Sequence, residues 1–126
     1  MNIVFAIPRP TQAMLQTLLA SLVRVNMLYL RANPSTPRLL QSGVRYQPEE
    51  SEVWQTIGEL QRTKRGDCED LACALAAELR VRGYGAIPFL SWKERPMVAG
   101  KTQGKLYHVR VKVGDKIVDP SKLLGM

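Results

Sequence analysis

The chain of 126 residues has one histidine, His108, and only two cysteines, Cys68 and Cys73. Five positions turn an α-helix by roughly 140°, so thiols spaced this way in one helix face apart and cannot bridge. No disulfide framework is expected, and a reducing compartment fits. One imidazole and two divergent thiols also do not converge as metal ligands, so neither a metal nor another cofactor is expected. Acid is missing from residues 1–48, which carry five arginines. Long apolar runs are missing too. Residues 3–7 are apolar, but they lack a basic flank and run into Pro8, which is too short for a leader or a membrane span. The expectation is a cytoplasmic protein without a transmembrane segment.

What is present is ordinary for a folded domain. An apolar fraction of 45% and a charged fraction of 23% suit a single domain with one core over residues 1–126. The net charge of +7 is uneven, positive at both ends and negative over residues 49–90. Such a surface attracts acidic partners. It holds no dense basic run and no basic–aromatic interleaving, so no specific nucleic-acid motif is read.

Residues 11–32 read as one helix with Thr11 as its cap. Met14, Leu15, Leu18, Leu19, Leu22, Val25 and Leu28 form the apolar stripe, while Gln12, Gln16, Asn26 and Arg31 lie on a thin polar side. The stripe suits either a core or a partner surface, with core preferred. Pro34 and Pro37 then break the chain. After Pro48 a second helix is expected over 49–63. Its acidic first turn holds Glu49, Glu50 and Glu52, and its stripe holds Val53, Trp54, Ile57 and Leu60. A third follows Gly66, read as a turn, and Asp67, read as a cap with Asp70 in capping-box spacing. It ends at Gly83. Residues 86–92 read as a strand edged by Pro88, 93–104 as a loop with Pro96, Gly100 and Gly104, and 106–113 as a strand. A turn at Gly114-Asp115 leads to a return strand at 116–118. Helices followed by an antiparallel meander make an α+β fold.

Three residues carry chemistry. Cys68 would sit in a first helical turn, where unpaired N–H groups favour a thiolate and could hold an oxyanion, although Asp67, Glu69 and Asp70 oppose ionisation. His108 alternates with inward-facing valines and is free to act as base and acid. If Val113 pairs with Lys116, Asp119 comes close enough to orient the imidazole. Asp67 and Asp70 are better explained as caps than as a glycosidase pair.

The order of these residues resembles the transglutaminase-like superfamily, including bacterial transglutaminase-like cysteine proteinases. The likeness rests on Gly66-Asp67-Cys68-Glu69-Asp70, Tyr107-His108-Val109 and Ile117-Val118-Asp119-Pro120-Ser121. It covers about residues 45–121, with the core taken as 46–126 and residues 1–45 as an N-terminal helical segment outside it. The resemblance implies a papain-like core with the cysteine helix packed on a small antiparallel sheet. It also implies a triad of Cys68 as nucleophile, His108 as acid and base, and Asp119 as orienter, acting through a thioester on a peptide or side-chain amide. Gln61, Trp54 and Tyr46 are the upstream candidates for oxyanion or substrate positioning. Small stand-alone copies of this kind are met in bacteriophages, where the host cytoplasm or the virion would be the location. A non-catalytic assembly or interaction protein is the alternative, docking a partner through the basic N-terminal segment.

Overall fold

The structure, a computed structural model, describes residues 2–4, 12–48, 53–94 and 105–126. The elements run β1 (Asn2–Val4), α1 (Gln12–Ala32), a 3-10 turn (Leu39–Gln41), β2 (Arg45–Tyr46), β3 (Val53–Gln55), α2 (Ile57–Thr63), β4 (Arg65–Gly66), α3 (Cys68–Val81), β5 (Ala86–Glu94), β6 (Lys105–Val113), β7 (Lys116–Val118) and α4 (Pro120–Leu123). The expected Thr11 cap, the acidic turn at Glu49, Glu50 and Glu52, and Pro96, Gly100 and Gly104 of the expected loop lie outside the described residues.

The architecture is mixed α and β with small sheets, as the α+β reading requires. A three-stranded antiparallel sheet has the order β5-β6-β7, and α3 packs on it with α1 alongside. One apolar cluster joins Leu15, Leu19 and Leu22 of α1 to Leu71 and Leu75 of α3 and to Leu90, Val109 and Val111 of the sheet. The alanines at 72, 74, 76 and 77 are buried; side chains this small let the helix backbone approach its neighbours closely. Val113 pairs with Lys116 and Val111 with Val118, the register expected of a two-residue turn at Gly114-Asp115. Pro88 lies on β5, an edge strand, where a missing N–H costs no ladder bond. Among the described residues, α1 is the helix long and apolar enough to cross a membrane. Its Leu15, Leu19, Leu22 and Val23 are nevertheless buried within the protein.

Three local expectations are corrected. First, the helix expected over 49–63 begins only at Ile57, because Val53, Trp54 and Gln55 pair with β1 as a strand. A β-branched and an aromatic residue suit that pleat, and Thr56 caps the helix by accepting the Glu59 N–H. Second, the stripe of α1 is rotated: Leu28 is 66% exposed, while Asn26 is fully buried. Asn26 Oδ1 accepts the Ile57 N–H at 2.8 Å, satisfying a donor that the start of α2 would otherwise bury unpaired. Third, Gly66 is no turn residue but part of β4, paired with Tyr46. A Cβ there would lie 2.6 Å from Leu60 Cδ2, so close packing is what requires glycine. Among the described residues the non-glycine in the left-handed region is Lys64, φ 61°, which ends α2.

Candidate functional site

Asp67 opens α3 in extended conformation, and its carboxylate accepts the Cys68 N–H at 2.7 Å. Asp70 answers by accepting the Asp67 N–H at 3.1 Å, which completes a capping box. Asp70 also accepts the Gln55 N–H at 2.7 Å, tying the helix start to β3. The cap fixes Cys68 at the first helical position, 6% exposed. Its thiol lies against β6, where it hydrogen-bonds with the backbone of Val109, the residue after His108.

On the other side of the site, the β6–β7 register carries Asp119 to the same sheet face as His108. His108 Nε2 and Asp119 Oδ2 are 2.8 Å apart, with side chains 28% and 15% exposed. Asp119 also caps α4, its Oδ1 accepting the Lys122 N–H at 3.4 Å. The carboxylate is thus held from two directions. With Nε2–H donated to Asp119, the imidazole keeps its lone pair on Nδ1, the nitrogen left for proton transfer.

The electrostatics around the thiol are unfavourable to ionisation. Burial pushes the Cys68 thiol well up, and the carboxylates of Glu69 and Asp67 add to this, against the smaller opposing effect of the Val109 hydrogen bond. The thiol donates to Glu69 Oε2 at 3.3 Å. Glu69 is itself 2% exposed, and its acidity is weakened first by burial and then by Asp70 and Asp67. Two N–H groups of the first turn are already engaged: those of Cys68 and Asp70 are taken by Asp67. The cap thus occupies two of the N–H groups that the sequence offers as oxyanion donors.

The three upstream candidates separate. Tyr46 is brought to the site: burial raises its pKa, and the charges of Asp67, Cys68, Glu69 and Asp119 all act on it in the same direction. Its backbone N–H donates to Leu124 O at 2.9 Å, holding β2 against the end of α4. Trp54 is fully buried in the core. Gln61 accepts from Lys64 Nζ and lines a shallow cleft with Leu30, Leu39 and Glu78, which Cys68, His108 and Asp119 do not line. Cys73 is also fully buried, its thiol turned toward Leu19 O at 3.5 Å.

Sequence reasoning missed the depth at which Glu69 is buried beside the thiol. The only sequence signal was its place next to Cys68 in a capped helix. The ligand atoms of Asp67, Cys68 and Glu69 lie within 4.8 Å of one another, close enough to meet a single cation, with two hard carboxylate oxygens and one soft sulfur as donors. The expectation of no metal weighed the histidine and thiols, not these carboxylates. Compared with protein-family models, curated proteins and solved structures, the chain matches none.

Proposed function

We propose that the chain is a cysteine-dependent hydrolase or acyl transferase with a transglutaminase-like, papain-related core, acting on peptide or side-chain amides through a thioester on Cys68. The observation that carries this reading is the His108–Asp119 pair, 2.8 Å long. Asp119 holds the imidazole in the tautomer with Nδ1 as base and stabilises the imidazolium that forms. The Cys68 proton passes to Nδ1 as the sulfur attacks the amide carbon. The same proton then leaves on the departing amine as the C–N bond breaks. Water completes hydrolysis of the thioester, and an amine completes transfer. We assign the oxyanion donor to the Tyr46 hydroxyl, which its surroundings keep protonated.

One observation favours a second reading, a non-catalytic assembly factor such as a phage morphogenesis protein. The thiol is buried, faces a carboxylate and begins a helix whose Cys68 and Asp70 N–H groups are taken by Asp67. Brief iodoacetamide treatment at about pH 6, followed by mass spectrometry, separates the two. Alkylation of Cys68 well ahead of Cys73 supports the enzyme, as does ammonia release from a panel of peptide amides. Equally slow labelling of both cysteines, with no ammonia, leaves the assembly role.

A further inference from the structure

The three-stranded sheet has an inner face buried under α1 and α3 and an outer face that carries His108. Cross-strand pairing arranges that outer face in rows. Ser91 lies opposite His108, Phe89 opposite Arg110, and Ile87 opposite Lys112, which in turn lies opposite Ile117. The alternation is strict: Ala86, Pro88 and Leu90 are buried, whereas Ile87 and Ile117 are each 47% exposed. Two β-branched apolar side chains flanking an exposed lysine are costly to leave in water together.

The middle row is a cation seated on an aromatic ring. The Arg110 guanidinium lies 5.6 Å from the centroid of Phe89. Its Nε is buried and has no hydrogen-bond partner among the described residues. Asp119 shares this face, but its carboxylate is committed to His108 and to the Lys122 N–H. Among the described residues, the rows beyond His108 therefore offer cationic and apolar groups without a matching acid.

Row spacing limits what can lie there. Successive same-face residues of a strand are about 6.6–6.8 Å apart, which is also the repeat of alternate side chains in any extended polypeptide. A chain lying along β6 with its reactive amide near His108 would place its second residue away over Phe89 and Arg110. Its fourth would meet Ile87, Lys112 and Ile117. We propose that this outer face is the docking strip for an extended polypeptide carrying acidic residues at alternate positions, whose side chains all face the strip. The strip selects the substrate whose amide is delivered to Cys68. The delivery step rests on the acyl-transfer reading given above; the docking itself does not.

The test uses the full chain and fluorescein-labelled peptides containing one glutamine and glutamates two and four residues from it, made in both chain directions. Matched peptides carry lysine in place of glutamate, and an oligothymidylate serves as the nucleic-acid probe. Anisotropy at low salt is expected to show the glutamate peptides binding at least about fivefold tighter than the lysine peptides, with the preference shrinking as salt rises. Lys112→Glu should weaken the glutamate peptides about fivefold and strengthen the lysine peptides, while Ile117→Ser should weaken both. Circular dichroism checks that each variant is folded.

Equal binding of the two charge types overturns the proposal. So does tighter binding of the oligothymidylate, or burial of the face in a dimer detected by sedimentation. Charge-selective binding without ammonia release would refute the chemistry and leave the strip. Ammonia release indifferent to peptide charge would refute the strip and leave the chemistry.

Discussion

Replacing Asp70 should cost more stability than any surface change in this protein, and the structure says how much. Asp70 is fully buried. Its Oδ1 accepts the Gln55 N–H at 2.7 Å, and its Oδ2 accepts the Asp67 N–H at 3.1 Å and the Gln55 side-chain amide at 3.5 Å. Hydrogen bonds to a charged group contribute about 1.5–3 kcal/mol each, and the two Gln55 donors left behind are buried. Two well-formed bonds and one long one place Asp70→Ala at about 3–5 kcal/mol. Asp70→Asn keeps one acceptor but turns an NH2 group toward donors that Oδ2 now receives, so about 2–3 kcal/mol is expected. In urea, a slope of about 1–3 kcal/mol per molar converts the alanine loss into a midpoint shift of about 2 M. Asp115→Asn, in the exposed hairpin turn, should stay within about 0.5 kcal/mol as the control. An Asp70→Ala loss below about 1 kcal/mol would show that the carboxylate does not tie α3 to β3.

Gly66→Ala must push a methyl group against Leu60, Asp70 and Leu71. A loss of about 1–3 kcal/mol is expected, read as a lowered melting temperature; an unchanged melt would show that the packing yields. For Glu69, burial together with Asp70 and Asp67 raises the folded-state pKa. The folded chain keeps a proton that the unfolded chain sheds above about pH 4.5. The associated stability is therefore complete below that pH and is lost as pH rises toward the folded value. Urea midpoints from about pH 5 to about pH 8 should fall more steeply for the native chain than for Glu69→Gln; parallel curves would rule this out. Because His108 is the only imidazole, its nitrogen NMR signals need no assignment. The native chain should show the Nε2–H tautomer, Asp119→Asn should retain it, and Asp119→Ala should give a mixture. Identical spectra for all three would mean that Asp119 does not orient the ring.

Much of the fold was legible in local pattern. Capping at Asp67, the stop at Gly83, the alternation through Val109 and Val111, and the hairpin register all follow from rules that reach only a few residues along the chain. Where the reading failed, a distant partner had overridden local preference. Val53, Trp54 and Gln55 have the spacing of a helical stripe, but β1 was there to pair with them. Asn26 reads as polar surface because its partner, the Ile57 N–H, is 31 positions away. The short helix α4 was hidden by Pro120, which reads as a strand ending and serves equally well as a first helical residue.

For the candidate site, the sequence by itself determined the cast and its order: a cysteine at a capped helix start, one histidine on a strand and an aspartate after the next. The shared face of His108 and Asp119 followed from the sequence only on the assumption that Val113 pairs with Lys116, a register that the structure supplies. Only the tertiary structure decided the state of these groups. Burial of the thiol, the depth of Glu69 beside it, and the arrival of Tyr46 from another strand depend on how α3, β2 and β6 meet. Desolvation and electrostatic interaction depend on distances in space, and spacing along the chain does not record those.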